Sequence, residues 1–519
     1  MAEAKKVELN KDELPEGWVA STLGDIASYI QRGKSPKYTE FSELPVVNQK
    51  CVRWHGIDRE HLKYIHPDQF EKWEEKRFLQ NGDLLWNSTG TGTIGRAAIV
   101  HLKEGEKLVA DSHVTIVRSG EGMEPKYVHY WVMGPAVQNS IEAMQSGSTN
   151  QVELSKGAVE STPIPVAPPE QQKRIVAKIE ELFSHIDAGI EALKKAKQLL
   201  KQYRQSVLKA AVTGELTKGW REARIKDDAQ GSANVAGGRT PGATKLEPAS
   251  QLLERILKER RQKWEEQQLE QFKAKGKMPK DDKWKEKYIE PVLPEDLELP
   301  NEWITASLDQ LTEYITSGSR GWAKYYADSG ATFIRAQNLK FDVLNLDSIA
   351  YVSLPDKAEG MRTRVKYGDL LITITGANVT KTGYVNIELD EAYVSQHVAL
   401  CRPTITKCVK YLYTYLLSKD GARKKLEEAA YGAGKPGLNL DNLKTLQIAL
   451  PSIEEQEEIV RLVEQRFVVI QRLDDDLGVQ LRKAEKNKQS VLASAFSGQL
   501  HNSCEQPVQQ GRDMMSAEA

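Results

Sequence analysis

Large parts of this chain occur twice. The run LPEGWVASTLGDIASYI from Leu14 returns as LPNEWITASLDQLTEYI from Leu299. GDLLWNSTG from Gly82 returns as GDLLITITG from Gly368, and SHVTIVR around His113 returns as QHVALCR around His397. PKYVHYW returns as VKYLYTYLL, and residues 170–216 align with 454–500 without a gap, at an offset of 284 with 15 identities in 47 positions. Solenoid repeats recur every ~20–50 residues, so a period this long marks a duplicated domain. Duplication within one chain implies a pseudo-twofold architecture, the intramolecular counterpart of a twofold dimer. The 519 residues, at ~150 per domain, leave room for three or four units.

Both copies follow one plan. Short runs rich in β-branched residues (DLLWNST, AAIVHL, DSHVTIVR; then DLLITIT, TGYVNIEL, YVSQHVALC) read as strands, and GTGTIG and GANVTKTG read as tight turns between them. A proline-rich stop follows in each (TPIPVAPPEQQ; LPSIEEQ), with Glu170 and Glu454 placed to open a helix. That helix has a heptad seam of Ile175, Ile179, Leu182, Ile186, Gly189, Leu193, Ala196, Leu200, Tyr203, Val207 and Ala210. The second copy reads Ile459, Val463, Arg466, Ile470, Leu473, Leu477, Gln480, Ala484, Asn487, Val491 and Ser494. Five heptads predict a coiled coil in which the two helices pair; the alternative is a long amphipathic helix lying on a globular core. Thirty-six residues at 1.5 Å each would make a rod of about 54 Å, a natural spacer. Arg466, Gln480 and Asn487 either fix the register of the pairing or are exposed. Between the copies, residues 226–248 have the composition of a flexible linker, residues 251–273 form a highly charged helix, and KAKGKMPKDDKWKEKY is a basic stretch. The last residues read as a disordered tail.

Composition excludes several classes. No stretch approaches 18 uncharged apolar residues, so a membrane span is not expected. The N-terminal MAEAKKVELNKDELPEGW has no apolar signal core, which argues against secretion and for a cytoplasmic location. Cys51, Cys401, Cys408 and Cys504 are too scattered for a disulfide framework or a zinc site. A net charge of −1 gives no hint of a nucleic-acid partner, so any such role must rest on charge placed locally. One local excess exists: residues 193–221 carry eight Lys/Arg against one Glu.

Catalytic signatures are missing. Gly33-Lys34 and Gly434-Lys435 lack the earlier glycine of a phosphate-cradling P-loop. The NPPF- and DPPY-type tetrapeptides of amino-methyltransferases do not occur. Asp68, Glu74 and Lys76 could be forced into a nuclease-like string, but no strand pattern joins them, and a solvated loop and helix is the better reading. The nine histidines show no metal-ligand spacing; His113 and His397 read as satisfied core or turn residues. The sequence therefore offers neither catalytic nor metal-ligating residues.

The remaining candidates are polar loops suited to DNA. Asn87, Ser88, Thr89 and Thr91 in the first copy, and Thr373, Thr375 and Asn378 in the second, combine glycine-rich turns with hydroxyls and amides. Such groups can approach a phosphate or a base edge. Lys34, Lys50, Arg53, Trp54 and Arg96 lie near the first set, and Arg320, Trp322, Lys324, Arg335, Lys340 and Lys381 near the second. In FIRAQNLK, Arg335, Gln337 and Asn338 are the side chains best suited to bidentate reading of guanine or adenine. A protein-binding scaffold with a coiled-coil spacer is the competing reading.

The paired LPxxW openings, the GDLL–turn–G segments, the proline-led E-Q helix starts (PPEQQ; PSIEEQ) and the QSVLxxAxxGxL helix ends together resemble the specificity subunit of type I restriction–modification systems. The resemblance covers residues 14–226 and 292–500. It implies an α+β protein with two mixed α/β target recognition domains in pseudo-twofold arrangement, joined by two long antiparallel coiled-coil helices. On that basis residues 1–168 are the first recognition domain, 169–226 the first helical spacer and 227–291 a linker and charged helical insert. Residues 292–452 are then the second recognition domain, 453–500 the second spacer and 501–519 a tail. The resemblance further implies double-stranded DNA as ligand, read at a bipartite asymmetric site, and a chain that is not itself an enzyme. Implied partners are two methyltransferase subunits using S-adenosylmethionine and two restriction/translocase subunits using ATP and Mg, with no cofactor bound by this chain and no membrane. The insert exceeds the plainer family pattern and is expected to pack on a methyltransferase subunit or along DNA.

Overall fold

The computed structural model describes residues 7–90, 92–146, 152–224, 247–355, 361–430 and 436–502. The linker expected near 226–248 lies almost wholly outside these residues, as do Thr91, the Gly434-Lys435 pair and the tail beyond 502. The chain divides into two compact units, Met1–Lys195 with Leu477–Ala519, and Ala196–Asp476. The division cuts across both long helices, Pro169–Val212 and Ile453–Phe496, each 44 residues long.

In the first unit an antiparallel sheet has the strand order Ala27–Arg32, Val114–Ser119, Leu84–Asn87, Ala97–Ile99. A second, mixed sheet orders Val109–Ala110, Pro45–Val47, Lys63–Ile65 and Tyr38–Thr39, with its first pair parallel. Val19–Thr22 pairs antiparallel with Pro163–Val166. The second unit repeats this plan. Its antiparallel sheet orders Thr312–Ser317, Val398–Pro403, Leu370–Thr373 and Thr382–Tyr384. Its mixed sheet orders Ala392–Val394, Ala331–Ile334, Ala350–Val352 and Tyr326–Ala327, and Ile304–Ser307 pairs with Gln447–Leu450.

The repeated motifs are explained by what they bond. The aspartate of each GDLL run is buried and held by an arginine from the strand beside it: Asp83 by Arg118 at 2.7 and 2.8 Å, Asp369 by Arg402 at 2.8 and 2.7 Å. Burial pushes the Asp369 carboxyl up, and the two-pronged Arg402 contact opposes that shift. The tryptophan of each LPxxW run donates its indole N–H to the following helix start, Trp18 to Gln171 and Trp303 to Glu455, both at 2.9 Å. The next residue of that start turns back on the chain, Gln172 donating to the Ala167 carbonyl and Gln456 to the Pro451 carbonyl. Tyr127 and Tyr411 complete the scheme by donating to the Pro165 and Ala449 carbonyls.

Each unit pairs a stretch of one long helix with a stretch of the other. In the second unit Lys197 meets Asp474 at 3.1 Å, the Arg204 guanidinium lies 4.1 Å over the Phe467 ring, and Thr217 and Arg221 both donate to Glu455. One index rises as the other falls, so these stretches are antiparallel. In the first unit Lys488 meets Asp187 at 2.5 Å, and Phe496 packs edge-on against Tyr127 and Trp131 at 5.0 and 5.1 Å. Of the seam read from heptads, Ile175, Ile179, Val207, Ile459, Val463 and Ile470 are buried, while Leu182, Ile186, Leu193, Leu200, Leu477 and Val491 are only partly covered. Gly189, Tyr203 and Leu473 are exposed, and Ile190, Leu208, Leu492 and Phe496 take buried positions instead. An α-helix drifts against a seven-residue repeat, and both helices bury their ends in domain cores rather than only against each other. Arg466, Gln480 and Asn487 are exposed.

The charged insert is part of the second unit. Its helix, Ala249–Ala274, buries Leu252 and Ile256 in the core that contains Leu308 and Leu311. Arg260, itself buried, donates to the Thr312 carbonyl at 2.9 Å and to the Tyr288 hydroxyl at 2.5 Å. Trp284 then folds back between Trp264 and Phe272. The inner face of the insert is therefore committed to its own unit.

Candidate nucleic-acid interface

In both units the ends of the antiparallel strands gather polar loops at equivalent positions. Gly33 and Gly318 follow the first strand where it passes under the mixed sheet. A β-carbon at Gly33 would lie 2.1 Å from the Asp111 carbonyl oxygen, and one at Gly318 2.1 Å from that of Val394. Only glycine fits there, and the chain then emerges with Lys34 and Arg320 exposed.

Beside it, the Gly90–Arg96 turn of the first unit is fixed from several directions. Asn87 donates to the Gln49 and Thr93 carbonyls at 3.0 and 3.2 Å, Arg96 donates to the Gly92 carbonyl at 2.9 Å, and Asn87 N–H donates to the Arg96 carbonyl. Thr89 is hydrogen-bonded to His113 Nδ1 at 2.7 Å, and Ser35 to Ser112 at 2.6 Å. Thus the turns around residues 34, 49, 90 and 113 form one cluster. It also holds acids: Glu153 pairs with Arg32 at 2.9 Å, and Asp58 lies 3.6 Å from Arg53. Burial pushes the Asp111 carboxyl up, and Tyr38, 3.4 Å from it and half-covered, is raised to about 12.

The second unit repeats the cluster with different side chains. Thr373 N–H donates to the Lys381 carbonyl, as Asn87 does to Arg96, so Lys381 and Arg96 are equivalent. His397 occupies the place of His113 and contacts Gln396 at 3.2 Å. The Asp342 carboxylate accepts from Lys381 at 3.0 Å, from the Thr382 N–H at 2.9 Å and from Arg423 at 2.6 Å. The turn that carries it is thereby tied to the glycine loop, as the Asn87–Gln49 bond ties the corresponding parts of the first unit.

The residues read from the sequence separate into two groups. Lys34, Lys50, Trp54, Arg320, Lys324, Gln337 and Lys340 are exposed, and Arg53, Thr89, Arg96, Arg335, Thr375, Asn378 and Lys381 are partly covered at the same loops. Asn87, Ser88, Asn338 and Thr373 are corrected, because they are buried. Ser88 bonds Thr115 at 2.5 Å, and Asn338 caps its own turn and donates to the Asn345 and Ser348 carbonyls. Asn87 and Asn338 satisfy turn backbone groups that the ladder leaves unpaired, while Ser88 and Thr373 are closed off in the interior. Trp322 is buried too, stacked on Phe333. Thr91 lies outside the described residues. His113 and His397 are turn residues, as read, but both are exposed at the cluster; their shared place in the repeat was the signal. Phe341, 71% exposed, had no signal in local sequence.

Among the described residues, no group of three or more His, Cys, Asp or Glu side chains is placed to hold a metal ion, and no helix is long and apolar enough to cross a membrane. The clusters present cations, imidazoles and amides on turns fixed by hydrogen bonds, an arrangement suited to recognition.

The family described as "Type I restriction modification DNA specificity domain" matches residues 15–200 and 262–468. The type I restriction enzyme EcoBI specificity subunit of Escherichia coli is 25% identical over 368 residues, which cover 70% of this chain and 64% of that protein. The StySPI specificity subunit of Salmonella potsdam is 22% identical over 503 residues, covering 95% of this chain and 91% of its own. A solved chain reported for complex assembly and conformational transition of the type I R-M system superposes with a TM-score of 0.61 at 17% identity, covering 94% of this chain and 99% of its own. That likeness bears on the fold alone.

Proposed function

The chain belongs to the type I restriction modification DNA specificity family, and from that premise we propose that it reads a bipartite, asymmetric DNA site, one half with each unit. The single observation that carries this reading is the recurrence, in both units, of one loop cluster with a basic residue at the same place, Arg96 and Lys381, but with different neighbours. Equivalent frames with different side chains suit two readers of different sequences. Phosphate contacts from Lys34, Lys50, Arg53, Arg320, Lys324 and Lys340 position each unit, and base-edge contacts from Thr89, Arg96, Arg335, Gln337, Thr375, Asn378 and Lys381 specify.

The chain itself performs no chemistry in this reading. An adenine amine inside a duplex is reached by flipping the base out, and that step belongs to methyltransferase partners using S-adenosylmethionine. Two such subunits and two restriction/translocase subunits using ATP and Mg complete the assembly, in the cytoplasm. The helical segments 169–226 and 453–500 act as spacers between recognition domains at 1–168 and 292–452. A mobility-shift assay of the chain with its methyltransferase partner tests the reading. Sequence-selective, salt-sensitive binding is expected; an assembled complex without selectivity would contradict it.

A further inference from the structure

We infer that the turn tips Arg53-Trp54 and Lys340-Phe341 are a matched pair of aromatic wedges, each pressed against a base step of the half-site its own unit reads. The inference rests on the DNA-reading proposal and adds to it the pairing of Trp54 with Phe341 and the mode of their contact. The two tips are equivalent by register. Asp111 N–H donates to the Val47 carbonyl and Ser395 N–H to the Ile334 carbonyl, which fixes Val47 and Ile334 as the same strand end. Trp54 and Phe341 both stand seven residues beyond it, each directly after a basic residue, within otherwise unlike sequences, VRWHGI and LKFDVL.

Both rings face solvent, Trp54 at 43% and Phe341 at 71% exposure. A single exposed aromatic is ordinary; what sets these two apart is that they recur at one register position in both copies. Each cation stays beside its ring or turn: Lys340 Nζ lies 5.3 Å from the Phe341 centroid, and Arg53 lies 3.6 Å from Asp58. A positive charge next to an exposed ring suits the phosphate beside an opened base step, where apolar side chains act as wedges.

The tips are also held rigidly. Asp342 follows Phe341 with φ +60°, a left-handed conformation that costs a non-glycine residue free energy. It persists because its carboxylate is held by Arg423, Lys381 and the Thr382 N–H, and its carbonyl accepts from the Tyr413 hydroxyl. In the first unit, Val52–Arg53 and Gly56–Ile57 form a short antiparallel hairpin that carries Trp54 at its bend. Both tips adjoin the glycine loops already placed at the candidate interface. A ring fixed in position before binding loses little freedom when it is inserted.

The test uses the complete chain assembled with its methyltransferase subunits, and its target duplex carrying 2-aminopurine at successive positions. With the unaltered chain, emission is expected to rise at one step in each half-site. Trp54→Ala is expected to abolish the rise in one half only and Phe341→Ala in the other. Each should weaken cognate binding by on the order of tenfold, with the salt dependence unchanged because no phosphate contact is lost. Trp54→Phe and Phe341→Tyr should retain both signals. The inference is overturned if the alanine variants keep affinity and emission, or if they lose methyltransferase assembly or melting temperature instead, since those outcomes assign the rings to a protein contact or to packing. A complex without any sequence selectivity would contradict the DNA-reading proposal itself, and the wedges with it.

Discussion

At the scale of single residues, the duplication separates side chains that build the frame from side chains that vary on it. Asp83 and Asp369 belong to the frame: each is buried against a partly covered arginine, and removing one member of a fully buried pair costs about 3–5 kcal/mol, the upper bound here. Asp369→Ala should lower the stability of the second unit by that order in chemical denaturation, and Asp83→Ala that of the first. His113 and His397 are the same residue in both copies, yet they stand exposed at equivalent turns beside side chains that differ. His113→Ala should relax selectivity in one half-site and His397→Ala in the other, each by about 1–3 kcal/mol of discrimination in competition binding; a uniform loss across all sequences would assign them to phosphate instead. His129 shows a different effect, because burial pulls its imidazole down to about 4. The folded chain then binds fewer protons than the unfolded chain, so stability falls as pH drops from about 6.5 to 4 and levels off below. Thermal melts of His129→Gln should lack that part of the acid sensitivity. The GDLL and LPxxW motifs were legible as repeated strings, but their purpose was not. The arginine that holds Asp83 is 35 residues away, and the acceptor of the Trp18 indole is 153 residues away.

At the scale of elements, the long helices were legible from periodicity and their packing only in part. Heptad counting located both helices but only a minority of their buried positions, Ile175, Ile179, Val207, Ile459, Val463 and Ile470. It failed where the helix end meets a domain core, because Phe496 packs on Tyr127 and Trp131 and Leu492 and Ala495 join the same core, all outside the heptad seam. A chain ending at residue 476 should therefore lose order in the first unit, which the missing segment belongs to, while the second unit keeps its protease resistance. Phe496→Ala should cost the first unit about 3–5 kcal/mol. The packing of the charged insert was hidden for a different reason. Leu252 and Ile256 are sparse among charges, and a buried Arg260 cannot be told from a solvated one in sequence. Arg260→Ala leaves the Thr312 carbonyl without this donor and Asp309 without its cation, with the Val292 N–H still donating to that carboxylate. It should destabilise the second unit by about 3 kcal/mol with selectivity for DNA unchanged.

At the scale of the whole molecule, a net charge of −1 is compatible with a DNA partner because charge is placed by position. Cations stand on the turns, while many acids are tied up within the fold, as at Asp83, Asp369 and Glu455. Two units of one topology were visible in the repeat, and so was the absence of catalytic motifs. Which side chains face outward was not visible, since Asn87 and Thr89 differ only in where strand ends place them. The central claim is that two unlike readers on equivalent frames select one divided sequence. Methylome sequencing of a host that expresses the chain with its methyltransferase tests it most directly. The expected result is modified adenine within a two-part asymmetric sequence interrupted by a fixed stretch of unread base pairs; a single uninterrupted motif, or modification without sequence preference, would contradict the claim.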